Sequence, residues 1–285
     1  MDSAGYELID AGDGRRLERW GPHIVDRPAP SAVAPRLDPD AWSRADLAYH
    51  RYVGWEPATA NAWAVRLGDL VLELRTTDTG QVGAFPEQQG NRVWIGDVVA
   101  NLIRTRNGAA PSVLNLFAYT GASTLVAAAA GASVAHVDAS RPSIAWARRN
   151  AELSGLADRR IRWLVDDAVA FVDREARRGR RYDGIVLDPP SYGHGAGRRA
   201  WRLEERLTPL LDAVATVAAP GAFILLTAHT PGFDGDRLAD ELQAALGLPH
   251  RDVERGTMAL RASSGASLDL GAFARWPGAP DRMPR

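Results

Sequence analysis

Short apolar runs alternate with amphipathic segments through the C-terminal two thirds of the chain. The pattern predicts strands at Ser112–Phe117, Ser133–Val137, Ile161–Val165, Gly184–Leu187 and Ala222–Ala228, helices at Arg92–Arg106, Ala122–Ala130, Arg141–Leu153, Ala168–Arg178, Trp201–Ala218 and Asp236–Leu246, and edge strands within Val253–Trp276. Strands separated by helices connect through right-handed crossovers. We therefore expect an α/β fold with a doubly wound, mainly parallel sheet.

The N-terminal part of the chain has a different pattern. Asn61–Leu67 and Leu70–Leu74 each alternate apolar and polar residues, and Gly68-Asp69 between them suits a two-residue type II′ turn. The first fifty residues show only short apolar stretches and read as an irregular or β-containing lead-in. These features predict a small β-containing region at 1–90 and an α/β domain at 91–285.

Composition removes several chemistries. The chain has no cysteine, and all 34 of its basic residues are arginines. Thiolate nucleophiles, iron–sulfur clusters, cysteine-ligated zinc, Schiff-base catalysis and a phosphate-loop lysine are therefore excluded. No membrane span or secretory signal is recognisable, so the cytoplasm is the expected compartment. We expect no membrane partner and no metal.

Positive charge is unevenly distributed along the sequence. The net charge is only −1, which argues against a uniformly basic nucleic-acid binder. Two groups of arginines stand out nevertheless: Arg174, Arg177, Arg178, Arg180 and Arg181, and then Arg198, Arg199, Arg202 and Arg206. Each group is either a solvated helix face or a local patch for anions.

The ends of the predicted strands carry the candidate chemistry, because open parallel sheets bind ligands beyond the carboxyl ends of their strands. Phe117–Gly121 follows the first strand, and Asp138 stands 17 positions after Gly121, near the spacing of an acid that binds ribose hydroxyls. Asp166-Asp167 and Asp188-Pro189-Pro190-Ser191-Tyr192 follow the next two. No phosphate-loop or GxGxxG motif is present. A nucleoside cofactor without a di- or triphosphate is favoured.

The same segments resemble a known family. VLNLFAYTG at 113–121, VDASRPSIAWARRNAELSGL at 137–156, DDA at 166–168 and YDGIVLDPPSYG at 182–193 are similar to motifs of the Rossmann-like S-adenosylmethionine-dependent methyltransferases. VGAFPEQQGNR at 82–92 resembles a signature of the branch that methylates cytosine C5 and guanine N7 in bacterial large-subunit ribosomal RNA. The resemblance covers about residues 60–276.

The resemblance implies a cofactor site for S-adenosyl-L-methionine. It assigns the methionine part to the turn containing Phe117, Ala118, Tyr119 and Gly121, the ribose to Asp138 with Ala139 and Ser140, and the adenine to Asp167 and Ala168. Asp188 and Pro190 would line the methyl-transfer point, and Tyr192 could stack on a flat acceptor. Phe85 and Gln88 would close over the cofactor from the preceding segment.

Two departures from that branch bear on the substrate. Its cytosine-C5 members carry a nucleophilic cysteine after the fifth strand, where this chain has LLTAHTPG at 225–232. Its separate N-terminal RNA-binding domain is not recognisable in the first sixty residues. We expect methylation of a nitrogen in an RNA base. Tyr192 would stack on that base, and the flanking Arg198 and Arg199 would contact phosphates. A small-molecule or protein methyltransferase and a non-catalytic cofactor-binding protein remain the alternatives.

Overall fold

The computed structural model describes residues 5–58, 62–194, 200–248 and 252–278. Contacts divide the chain into two compact units. The first comprises residues 1–89, 152–155 and 258–270, and the second comprises residues 90–151, 156–257 and 271–285. The division at residue 90 remains our proposal for the domain boundary. No helix in the described ranges is both long and apolar enough to cross a membrane.

The first unit is built from β-structure. Its strands are β1 (Tyr6–Gly12), β2 (Arg15–Trp20), β3 (His23–Pro28), β4 (Leu47–His50), β5 (Gly54–Glu56), β6 (Trp63–Leu67) and β7 (Leu70–Leu74), with 3₁₀ turns at Pro39–Arg44 and Pro86–Gln88. Strands β1 to β5 form one sheet in sequence order, antiparallel except for the β3–β4 pair. The predicted β-containing N-terminal region is confirmed.

Strands β6 and β7 form the predicted hairpin. Leu67 pairs with Leu70, so Gly68 and Asp69 are the two central residues of the turn. Gly68 has a φ of 61°, and Asp69 is not among the described residues with positive φ. A positive φ at the first central position alone is the feature of a type II′ turn, which glycine adopts without steric cost.

The second unit alternates helices and strands. Its elements are α1 (Gln89–Thr105), β8 (Ser112–Leu116), α2 (Ala122–Ala129), β9 (Ser133–Asp138), α3 (Arg141–Leu153), β10 (Ile161–Val165), α4 (Ala168–Arg177), β11 (Tyr182–Leu187), β12 (Tyr192–His194), β13 (Ala200–Arg202), α5 (Leu203–Ala215), β14 (Ala218–Ala228) and α6 (Gly235–Leu246). Two further strands, β15 (Glu254–Arg261) and β16 (Ser267–Trp276), belong partly to it, because their residues 258–261 and 267–270 fall in the first unit. The expected alternation is confirmed.

A seven-stranded sheet with the order β10-β9-β8-β11-β14-β16-β15 organises this unit. The pairs from β10 through β14 are parallel, and β16 joins β14 antiparallel. Two apolar clusters cover the sheet, one containing Leu114, Leu187 and Leu226, the other containing Val113, Val186 and Leu225. Since consecutive strand residues face opposite sides, both faces are buried and the strands read as continuous apolar runs.

The strand order reverses between β8 and β11. From β8 the chain adds β9 and β10 on one side, and β11 and β14 then lie on the other. Such a switch point leaves a crevice at the carboxyl ends of the central strands, where ligands bind in open α/β sheets. The fold therefore draws attention to the loops that follow β8, β9, β11 and β14.

Three predicted elements were wrong at an end by more than two residues: the helix expected from Arg92 begins at Gln89, the strand expected from Ala222 begins at Ala218, and the helix expected at Trp201–Ala218 ends at Ala215. The helix expected from Trp201 begins at Leu203, and Trp201 and Arg202 instead belong to β13, which pairs with β12. The indole nitrogen of Trp201 donates to the carbonyl oxygen of Pro190 at 2.6 Å. This long-range contact holds the residue in extended backbone although its apolar spacing continues the helical pattern.

Candidate active site

The turn after β8 holds three residues in the left-handed region of backbone space. Phe117 has a φ of 57°, Tyr119 of 47° and Gly121 of 90°. Aromatic residues rarely adopt such angles, which persist only where surrounding contacts enforce them, and they concentrate at functional sites. One such contact is the hydrogen bond from the Ala118 amide to the carbonyl of Val137 at 3.1 Å.

The same turn leads into α2 without a side-chain cap. Gly121 occupies the N-cap position, and no side chain accepts from the first amides of the helix. A Cβ at Gly121 would lie 3.0 Å from the Cβ of Ala147, so the glycine also permits close packing of α3. Uncapped amides at a helix N-terminus favour a carboxylate ligand.

Asp138 joins this turn to the one after β9. One carboxylate oxygen accepts from the amide of Tyr119 at 2.8 Å, and the other accepts from the amide of Ser140 at 2.8 Å. Burial raises the pKa of Asp138, and these two amide hydrogen bonds only partly oppose it. Each oxygen has a second lone pair. The carboxylate can therefore accept further hydrogen bonds from vicinal hydroxyls.

The buried polar side chains beneath these turns form a chain of hydrogen bonds. Asn115 Nδ2 donates to Thr124 Oγ1 at 2.8 Å, and Thr124 Oγ1 lies 2.9 Å from His136 Nδ1. Burial lowers the pKa of His136 to about 3, the backbone of Tyr119 opposing it slightly. At neutral pH the imidazole is uncharged, and the network supports the turn without adding charge to the site.

The two acids after β10 are engaged in local structure. Asp166 forms an ion pair with Arg174, and Asp167 caps α4 by accepting from the amide of Ala170 at 3.0 Å. Ala168 is buried at the first position of that helix. Sequence reasoning did not anticipate the capping role. The adenine contact assigned to Asp167 and Ala168 stays a prediction, which would use the second carboxylate oxygen.

Asp188 after β11 meets two residues from the end of β14. The hydroxyl of Thr227 donates to Asp188 Oδ1 at 2.6 Å, and His229 Nε2 lies 3.3 Å from the same oxygen. Leu187 pairs with Leu226, so residues that follow the two strands are neighbours. Sequence reasoning assigned His229 to a loop or pocket wall and overlooked Thr227. Their position beside Asp188 follows from the parallel pairing of β11 with β14, which the sequence alone does not show.

The Pro-Pro loop is held in place by its own set of contacts. Trp201 donates to the Pro190 carbonyl, its ring centroid lies 5.2 Å from that of Phe117, and Thr230 Oγ1 donates to Ser191 Oγ at 2.7 Å. One lone pair of the Pro190 carbonyl is thus already in use. Tyr192 is 67% exposed at the start of β12, where its ring is available to a flat partner.

Two of the predicted site residues belong to the first unit, and two others lie outside the described residues. Phe85 precedes the 3₁₀ turn Pro86–Gln88 and Gln88 ends it, and both belong to the first unit. Their closure over the cofactor stays a prediction. Arg198 and Arg199 lie outside the described residues.

The crevice has the hydrogen-bonding groups that a nucleoside with a carboxylate tail requires. It combines uncapped helix amides at Gly121, a desolvated carboxylate at Asp138, and a second anchored carboxylate at Asp188 across the switch point. The amides suit the tail, Asp138 suits the ribose, and Asp188 lies where a reacting group would sit beyond β11. The residues present therefore fit S-adenosylmethionine.

Comparison with known families and structures supports this assignment. A family described as S-adenosylmethionine-dependent methyltransferase matches residues 44–255. The solved structure of a SAM-dependent methyltransferase from Agrobacterium tumefaciens is similar, with 34% identity, a TM-score of 0.86, and coverage of 96% of this chain and 91% of that one.

Curated relatives include two proteins named for ribosomal RNA. Ribosomal RNA large subunit methyltransferase K/L of Shewanella loihica is 33% identical over 68% of this chain. Ribosomal RNA large subunit methyltransferase K of Neisseria meningitidis is 28% identical over 60% of this chain. The chain spans only 27% and 46% of the lengths of these relatives.

Proposed function

Because the chain belongs to the S-adenosylmethionine-dependent methyltransferases, we propose that it methylates a nitrogen of an RNA base, with ribosomal RNA as the substrate class. The observation that carries this proposal is the arrangement after β11, where an anchored Asp188 and a 67% exposed Tyr192 flank two prolines. The names of the ribosomal RNA methyltransferases K and K/L support the substrate class.

The cofactor would be held by groups from three turns. The backbone after β8, from Phe117 to Gly121, would take the methionine part, Asp138 the ribose, and Asp167 the adenine. When bound, S-adenosylmethionine supplies an electrophilic methyl group on a sulfonium. The protein's main task is then to hold the acceptor in line, and such positioning can lower a barrier by up to about 7–11 kcal/mol.

Asp188 is the group proposed to act on the acceptor. Its carboxylate is fixed by Thr227 and adjoins His229, so it cannot rotate freely when an acceptor enters. A preorganised negative group beside an attacking nitrogen stabilises the positive charge that grows there. The Pro190 carbonyl, which already accepts from Trp201, would help to line the same point.

The absence of cysteine from this chain directs the proposal towards nitrogen. Cytosine C5 is a poor nucleophile until a thiolate adds to the ring, and this chain contains no cysteine. Guanine N7 and exocyclic amines have a lone pair and need no covalent enzyme intermediate. Of the two activities in the branch that the sequence resembles, methylation of a base nitrogen is the one these residues can support.

Methyl transfer into RNA is the direct test. Wild-type protein with labelled S-adenosylmethionine is expected to label ribosomal RNA, and RNA carrying 5-fluorocytosine is expected to form no denaturation-resistant adduct. Tyr192→Ala should impair transfer without changing cofactor affinity, because base stacking on an aromatic ring contributes about 1–3 kcal/mol. The matched control Tyr52→Ala removes another exposed tyrosine and should retain activity. Label confined to metabolites or proteins would contradict the RNA substrate.

Loss of Asp138 should weaken cofactor binding. Asp138→Ala removes charge-assisted hydrogen bonds to the ribose, which contribute about 1.5–3 kcal/mol, so the Kd for S-adenosylhomocysteine should rise about 10- to 150-fold. Since burial raises the pKa of Asp138, wild-type affinity should also decline on acidification at a higher pH than an ordinary aspartate would give. Titration calorimetry measures both effects. The exposed Asp173→Ala is the control, and equal affinity of Asp138→Ala and wild type would refute the assignment.

A further inference from the structure

A second concave surface lies at the amino ends of the parallel strands, opposite the carboxyl ends that form the crevice. It is a cavity of about 840 Å³ lined by the first residues of four adjacent parallel strands, Ser112, Ser133, Ile161 and Tyr182. Parallel strands of five or six residues span about 17–20 Å. The cavity is therefore separated by roughly that distance from the crevice at the carboxyl ends of the strands. It therefore takes no part in binding the cofactor.

Positive charge dominates this cavity, which we call the arginine basin. Its lining includes six arginines, Arg159, Arg160, Arg162, Arg178, Arg180 and Arg181, against two acids, Asp158 and Glu175, a net formal charge of +4. All six arginines are exposed. The whole chain has a net charge of −1. The basin is thus a local concentration of cations on a nearly neutral protein.

Local pairing accounts for only part of this charge. Glu175 is buried and interacts with Arg178 at 3.0 Å and Arg162 at 3.9 Å, and it accepts from the hydroxyl of Tyr182. In the described part of the chain, the side chains of Arg159, Arg160 and Arg180 form no hydrogen bond or ion pair. Three exposed arginines therefore line the same cavity with no acidic partner on their side chains among the described residues, an arrangement that costs electrostatic energy without an anionic ligand.

We propose that the arginine basin binds the phosphate backbone of the RNA substrate, at a segment distant from the methylated base. Guanidinium groups form bidentate hydrogen bonds with phosphates, and several of them in one cavity can contact successive phosphates of a nucleic acid. A ribosomal RNA is much longer than the roughly 17–20 Å between the basin and the crevice, so one molecule can reach both sites. This inference rests on the function proposed above.

The basin should contribute to RNA affinity and to its salt dependence. Each phosphate contact adds about 0.7–0.9 to the slope of log Kd against log salt. The variant Arg159→Ala, Arg160→Ala, Arg180→Ala loses three candidate contacts and breaks no observed interaction. It should lower that slope by about 2–3 and weaken binding of a ribosomal RNA fragment at low salt. Its cofactor affinity and its kcat at saturating RNA should match wild type.

A charge-matched control separates the basin from general electrostatics. Arg66→Ala, Arg148→Ala, Arg261→Ala removes the same charge from scattered exposed positions and should leave the slope unchanged. Filter binding and titration calorimetry from about 50 to 200 mM salt provide the slopes. Equal slopes for wild type and the basin variant, with wild type methylating RNA, would overturn the basin alone. No RNA binding or methylation by wild type would overturn the proposed function itself. If the basin variant loses binding to polyglutamate but binds RNA as wild type does, the ligand of the basin is an acidic protein and the RNA assignment is refuted.

Discussion

Replacing Asp188 with asparagine is expected to lower kcat for methyl transfer about 10²–10³-fold, the effect of removing one preorganised group that stabilises developing charge. Asparagine preserves the size of the side chain and can still accept from Thr227, so the loop should keep its shape. The negative charge beside the acceptor is lost. The main effect should therefore fall on kcat, and single-turnover measurements with labelled cofactor would record it.

The same strand provides a control for this substitution. Asp183 lies near the amino end of β11 and accepts from Arg106 and from the backbone and hydroxyl of Ser112. Asp183→Asn weakens those contacts at the amino end of β11, far from the crevice. The variant should therefore be less stable than wild type but retain its kcat. Full kcat in Asp188→Asn would remove Asp188 from the reaction. An equal loss of kcat in both variants would indicate a general effect on the sheet.

Replacing Glu18 with glutamine is expected to destabilise the protein by about 3–5 kcal/mol, because it removes one partner of a buried ion cluster. Glu18 is fully buried and accepts from Arg27 at 2.5 Å and from the hydroxyl of Tyr6 at 3.0 Å, with Arg16 at 3.6 Å. Burial alone would raise the pKa of Glu18, but the two guanidinium groups outweigh it and the pKa is lowered. Without this carboxylate, Arg16 and Arg27 would lose their largest favourable charge interaction, and the neighbouring Glu87 contributes less.

Urea unfolding of the full chain at neutral pH measures this effect. Glu7→Gln is the matched control, because Glu7 is paired with Arg19 on the surface, at side-chain exposures of 43% and 34%. Exposed pairs contribute about 0–1 kcal/mol, so the control should stay close to wild type. If Glu18→Gln were no more destabilising than Glu7→Gln, the cluster would not be an important source of stability for the first unit.

Local patterns predicted most of the second unit, because each element depends on neighbouring residues. Arg141–Leu153 and Ile161–Val165 have the predicted bounds, and most of the other elements differ by one or two residues at their ends. Helical and strand periodicity are properties of a short window of sequence. The strand-end acids could also be located, since a strand that ends in Asp138 or precedes Asp188 is visible in the sequence itself.

Contacts between distant segments explain what sequence reasoning missed. Trp201 was assigned to a helix because its spacing fits, but its partner Pro190 comes from another loop. Thr227 and His229 became part of the site only through the pairing of β11 with β14. Thr227 and Asp188 are 39 residues apart in the sequence. In the same way, Arg178 and Arg180 were visible as a charged run, but their convergence with Arg159 and Arg160 depends on the sheet order.

The sequence by itself determined the α/β class, the acids at the strand ends and the lack of a thiol for cytosine C5. Each of these follows from residue identity or from periodicity within one element. Only the tertiary structure decided that Asp188 is anchored by Thr227 and His229, that Asp167 caps a helix, and that Glu18 joins two buried arginines. The physical reason is that hydrogen bonds and desolvation act over a few ångströms in space, and sequence distance says little about which side chains come that close.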